Sequence, residues 1–157
     1  MIGVRVAAEA RSWIGTPWCH GASCKAAGAD CLGLVRGVWR GVVGAEPAAV
    51  PPYPVDWAEA GGALALAKAL RQHFGPAGIE AVGDVLLFQL SSRGPAKHLG
   101  VQTVCGSAPR FVHACSGHGV VEVALSAPWR RRLVARFAFP DARAAWRKPT
   151  WQTHGGD

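Results

Sequence analysis

Cys31 follows Asp30 in the segment Ala29-Asp30-Cys31-Leu32-Gly33-Leu34-Val35, and this pair is the first place in the sequence where chemistry could reside. A thiol attacks as its thiolate, and the positive end of a helix favours thiolate over thiol. A neighbouring carboxylate works the other way, so Cys31 needs a basic partner to take its proton. Two histidines can serve: His98 in Lys97-His98-Leu99-Gly100-Val101, and His113 in Phe111-Val112-His113-Ala114. In that arrangement His98 holds the Cys31 proton while His113 hydrogen-bonds the far ring nitrogen of His98, fixing its orientation and tautomer as the third group of a triad does. Taken singly, a free cysteine is most often a small buried apolar residue, and a lone histidine is more often structural than catalytic. The joint order Cys, His, polar residue is what points to a nucleophile.

The elements that must position these residues are legible from periodicity. Val4, Ala7, Ala8 and Trp13 recur at roughly helical spacing until Gly15-Thr16-Pro17 interrupts them, which predicts a first helix. Trp18 to Ala29 reads as a loop. Leu32, Val35, Val38, Trp39 and Val42 then form an apolar stripe that predicts a second helix from about Cys31 to Val43, with Asp30 at its start as a cap. Pro47, Pro51, Pro52 and Pro54 mark an irregular connection, after which Asp56 is expected to cap a third helix ending near Gly75. The second half changes period. Runs at Asp84 to Leu90, His98 to Cys105, Arg110 to Cys115, Gly119 to Leu125 and Leu133 to Phe139 read as strands of an antiparallel sheet. Helices first and strands afterwards is the α+β pattern.

At 157 residues the chain fits one domain, expected over 1–140, with an irregular basic tail over 141–157. Half of it is apolar and 17% is charged, which excludes the disordered class. No apolar run approaches the ~20 residues of a membrane span, so membrane insertion is not expected. Met1 to Val6 lacks a signal peptide's basic-then-apolar pattern, so export by a standard secretory route is not expected either. The formal charge is +7. Its excess lies late: between positions 130 and 148, Arg130, Arg131, Arg132, Arg136, Arg143, Arg147 and Lys148 stand against Asp141 alone, which favours anionic partners. The odd count of five cysteines argues against a disulfide framework.

Two other chemistries compete for the same residues. Cys19, His20, Cys24 and Cys31, or Cys115 with His118, have the side chains zinc prefers, but paired C-x2-C knuckles are absent and a zinc ligand at Cys31 would consume the nucleophile. No metal and no cofactor are expected. Trp129, Trp146 and Trp151 among arginines could stack on nucleic acid bases. Nothing else resembles a nucleic-acid fold, so the basic end is read as a docking arm, or as an attraction to anionic polymers, and specific nucleic-acid binding is not expected.

Taken together, Gly15-Thr16-Pro17-Trp18, Asp30-Cys31-Leu32-Gly33-Leu34-Val35, Gly83-Asp84-Val85, His98-Leu99-Gly100-Val101 and Phe111-Val112-His113-Ala114 resemble, in that order, the NlpC-type cell-wall cysteine peptidases over about residues 5 to 125. The stretch from Cys31 to Arg40 and the later Pro128-Trp129-Arg130-Arg131-Arg132 also look like the shorter branch carried in phage and gene-transfer-agent tails. The resemblance implies a papain-like α+β fold of N-terminal helices on an antiparallel sheet, and hydrolysis of the γ-D-glutamyl-diamino acid bond of peptidoglycan stem peptides. It implies Cys31 as nucleophile, His98 as base and His113 as its orienting partner. Asp30 and Trp18 would be substrate-binding, with the Cys31 amide meeting the oxyanion.

Trp18 stands where the family usually has a tyrosine, and an indole N–H donates a hydrogen bond but accepts none. The residue after Cys31 is Leu32 rather than the more usual serine, a packing change. The expected setting is the tail tip of a phage-like particle, assembled in the cytoplasm beside tail or baseplate proteins and acting on the wall; a lysis enzyme would share these features. The alternative is a structural tail protein that keeps the fold and binds wall peptide without cutting it. Another papain-like activity on a different substrate would use the same triad.

Overall fold

A computed structural model describes residues 2–141 of the chain. Its first element, α1 (Ile2–Ser12), turns Val6, Ala7 and Ala10 inward, and Trp13 follows them into the core. The chain then enters two short antiparallel strands, β1 (Ser23–Cys24) and β2 (Gly28–Ala29), inside the stretch expected to be loop. They are too brief for a period of two to show in the sequence. They deliver the chain to α2 (Cys31–Val42).

The buried stripe of α2 is Leu34, Val35, Val38 and Trp39, while Leu32 and Val42, expected within it, lie only partly buried at its edge. Two glycines let α2 seat closely. A Cβ on Gly37 would stand 2.0 Å from the Trp13 ring, and one on Gly33 would stand 1.8 Å from the Ala22 carbonyl oxygen. Because the second obstacle is backbone, the Gly33→Ala variant is expected to lose about 3 kcal/mol of stability, read as a lower urea midpoint with unchanged slope.

The third helix departs from its expected start. Asp56 accepts from the Ala60 amide through its backbone carbonyl, but a single π-helical turn (Ala58–Gly62) intervenes, with Gly61 at φ 97°. Left-handed backbone at Gly61 breaks the helical path, so α3 runs from Ala63 to His73 with Gly62 at its start and no side-chain cap.

The second half forms a six-stranded antiparallel sheet of order β3-β8-β4-β5-β6-β7. Its strands are β3 (Gly75–Pro76), β4 (Val85–Gln89), β5 (Ala96–Val104), β6 (Arg110–Cys115), β7 (Gly119–Ala124) and β8 (Leu133–Ala138). A short helix, α4 (Ala127–Arg132), precedes β8. Neither β3 nor α4 is among the expected elements: β3 has two residues, and the triple arginine hides the helical character of α4.

Alternation sorts the strands into two cores. Val85, Leu87, Leu99, Val101, Val112 and Ala114 face α1, α2 and α3, while Leu86, Phe88 and Phe111 point the other way and pack with Leu125, Trp129 and Leu133. The architecture is α+β, with N-terminal helices packed on an antiparallel sheet. All but Asp141 of the basic tail expected over 141–157, including Trp146 and Trp151, lies outside the described residues.

Candidate active site

The segment before α2 is built from the loop upward. Thr16 is buried, its Oγ1 accepts from the Ala26 amide, and its backbone exchanges with β7 through Val120 N–H to Thr16 O at 2.9 Å. Trp18 bridges to Ala29, which places the indole one strand away from Asp30-Cys31. The ring is 37% exposed, with its centroid 6.4 Å from that of His20.

Asp30 caps α2 as its sequence position suggests. Its backbone is extended (φ −96°, ψ −175°), and its Oδ1 accepts from the Gly33 amide at 2.7 Å. Its Oδ2 is also engaged, accepting from the Gly21 amide at 2.7 Å and from the Tyr53 hydroxyl. The side chain is 5% exposed. A carboxylate offers about four lone-pair positions, so the three filled here leave little for a substrate amine.

Cys31 opens α2, and its sulfur lies against the backbone of β5 on either side of His98. Sγ donates to the Lys97 carbonyl at 3.7 Å and interacts with the Leu99 amide. Burial pushes the thiol up to about 11, and Asp30 adds to the rise; the Leu99, Leu32 and Cys31 amides pull it down without offsetting burial. The helix start therefore does not by itself produce a resting thiolate.

His98 and His113 share a face of the sheet. β5 and β6 pair with Val101 opposite Val112, and continuing that register puts the two histidines on the face opposite those valines. His98 Nε2 and His113 Nδ1 are 2.8 Å apart. Desolvation lowers His98 to about 3, with smaller contributions from His113 and Lys97, and lowers His113 to about 4. Both rings are held neutral. For His98 to act as a base, its Nε2 must carry the proton and donate to His113 Nδ1, leaving Nδ1 of His98 as the acceptor.

Trp129, from α4, closes this pair off. Its ring stacks on His98 at 5.8 Å and 28°, and meets His113 edge-on at 5.1 Å, in a cluster shared with Phe88 and Phe111. The ring weighed above as a stacking group for nucleic acid bases is thus taken up in this cluster. Arg136, counted with the basic end, is likewise drawn inward, 3.2 Å from the buried Asp84.

His20 Nε2 lies 2.8 Å from the Tyr53 carbonyl, and among the described residues no group of three His, Cys, Asp or Glu side chains converges as a metal site. Nothing in the sequence pattern singles out Tyr53. It lies in the proline-rich connection, where no period marks it, and a tyrosine placed soon after the nucleophile helix was its only signal.

No protein-family model matches the chain, and neither does any curated protein. Solved structures do. One, described as similar to a lipoprotein of the NLP/P60 family from Staphylococcus aureus subsp. aureus Mu50, aligns with a TM-score of 0.57 and 18% identity over 89% of this chain and 42% of that one. Another, the structure of Ly7917, aligns with a TM-score of 0.49 and 15% identity over 89% of this chain and 63% of that one. The chain thus spans less than half the length of the first. The likeness establishes an NLP/P60-type α+β fold; the chemistry rests on the side chains described above.

Proposed function

We propose that this chain is a cysteine peptidase acting on peptidoglycan stem peptides at the γ-D-glutamyl-diamino acid bond. The observation that carries the reading is the thiol of Cys31 held at a helix start against the β5 backbone flanking His98, whose ring is in turn bonded to His113 at 2.8 Å. Cys31 attacks the carbonyl as His98 takes its proton, and His98 returns that proton to the leaving amine. The amides at the start of α2 are the donors nearest the developing oxyanion. The NLP/P60-type fold and the sequence motifs support the choice of substrate; a place at the tip of a phage-like tail rests on the sequence resemblance alone.

A second reading, a tail protein that binds wall peptide without cutting it, is favoured by the resting thiol, which is pushed well above the range of reactive cysteines. One experiment separates the two. The stem tripeptide L-Ala-γ-D-Glu-meso-diaminopimelate is incubated with the protein and its products are read by mass spectrometry. Cleavage at the γ-glutamyl bond, abolished in Cys31→Ala, is expected. Binding of the tripeptide without cleavage, by folded protein, would give the site to the structural reading.

A further inference from the structure

The carboxylate beside the nucleophile is not free. Asp30 raises the thiol of Cys31 through its charge, and three donors draw on that charge: the Gly33 and Gly21 amides and the Tyr53 hydroxyl. Two of these are backbone groups fixed by the fold. The third comes from the connection between α2 and α3, a part of the chain with its own anchors. Arg36 bonds Glu46 at 2.6 Å, the Trp39 indole donates to the Ala45 carbonyl at 3.0 Å, and the Tyr53 carbonyl meets His20. Between these points the connection spans an apolar cavity of about 430 Å³, lined by Leu32, Val35, Trp39, Val50, Trp57 and Leu70. Tyr53 stands at the edge of that cavity, its ring edge-on to His20 at 5.0 Å and to Trp57 at 5.8 Å.

We propose that Tyr53 is a positioning residue of the Cys31 site that acts through Asp30: its hydroxyl draws the carboxylate's charge away from the sulfur and so keeps the thiol available to its base. The inference rests on Cys31 being the nucleophile but not on the identity of the substrate. Burial, and then the Asp30 carboxylate, push the Tyr53 hydroxyl well above the usual phenol range, so it remains a donor across the working pH range. The other ionisable groups at Tyr53 are Arg36 on α2 and His20 in the preceding loop; Lys97 meets the sulfur through its backbone carbonyl, next to His98, which in turn is bonded to His113. Among the described residues, the donors to the Asp30 carboxylate are Tyr53 and the two amides. In this chain a tyrosine after the nucleophile therefore brings a hydroxyl to the site although Trp18 brings none.

The test uses iodoacetamide on the whole protein between pH 7.5 and 10, with alkylation of the Cys31 peptide followed by mass spectrometry, so that the exposed Cys19 and Cys24 do not confuse the reading. Tyr53→Phe keeps the ring against His20 and Trp57 and removes only the hydroxyl. It is expected to slow Cys31 alkylation by about threefold to tenfold throughout this range, the effect of moving a thiol up by half a pH unit to one unit. Asp30→Asn retains a good cap, and in that background Tyr53→Phe is expected to change nothing. Faster alkylation in Tyr53→Phe would mean that the hydroxyl merely fastens the connection over the thiol, and an unchanged rate would mean that it does neither; each overturns the proposal. So does a slowing that persists in the Asp30→Asn background. Because no peptide substrate enters, failure here is distinct from failure of the peptidase reading.

Discussion

Replacing His98 with alanine is expected to reduce cleavage of the stem tripeptide by about a thousandfold, within the range attributed to a general acid-base group. The size of the loss follows from the resting state of the site. With the thiol pushed up to about 11 and His98 lowered to about 3, the site at neutral pH holds a neutral thiol and a neutral imidazole, not an ion pair formed in advance. The proton must then leave sulfur as the carbonyl is attacked, and the base is needed in every turnover. His113 makes a smaller contribution, because it holds His98 without touching the reacting atoms. His113→Ala is expected to cost about tenfold to a hundredfold, and His113→Asn, which restores an acceptor for His98 Nε2–H, should recover most of it. Steady-state kcat/KM across the three variants checks the hierarchy. Equal losses in His113→Ala and His113→Asn would mean that the 2.8 Å contact does not set the tautomer.

The placement of Asp30-Cys31, His98 and His113 on their elements is readable in the sequence because short-range rules fix it. The apolar period of α2 fixes where the helix begins and hence that Asp30-Cys31 lies at its positive end. Strand alternation puts His98 and His113 on one face, opposite Leu99 and Val112. What escaped was set by distant parts of the chain. Tyr53 reaches Asp30 because the proline-rich connection folds back over α2, and nothing in its local pattern encodes that return. Trp129 sits in a run dominated by arginine, which reads as a solvated face, yet the six-residue α4 turns its ring onto the histidines and leaves Arg131 and Arg132 outside. α3 starts later than its sequence suggests for a related reason: Asp56 is a good capping residue, but Gly61 takes a left-handed conformation that restarts the helix beyond it.

The burial that keeps the histidines neutral also has a cost in stability, and its sign is fixed by linkage. Histidines in the unfolded chain take up protons near their ordinary value of about 6.5, whereas His98 and His113 in the fold resist protonation down to about 3 and about 4. Between those limits the unfolded state binds more protons, so stability is full above about pH 6.5 and falls as pH drops through the window below it. Each histidine contributes a slope of about 1.4 kcal/mol per pH unit once its unfolded form is protonated. Urea unfolding between pH 5 and 7 isolates the effect, since the carboxylates that fold at lowered values, Glu46, Glu59 and Glu122, titrate below that interval. In His113→Gln, which keeps a hydrogen-bonding side chain but does not titrate, the slope at pH 5.5 is expected to fall by about one proton's worth, or about 1.4 kcal/mol per pH unit. A slope unchanged by the substitution would mean that His113 is already protonated in the fold. The same linkage predicts the acid limb of activity: a base kept neutral by burial against Trp129 and Phe88 remains a base well below pH 6, so acid should end catalysis by weakening the fold before it protonates His98.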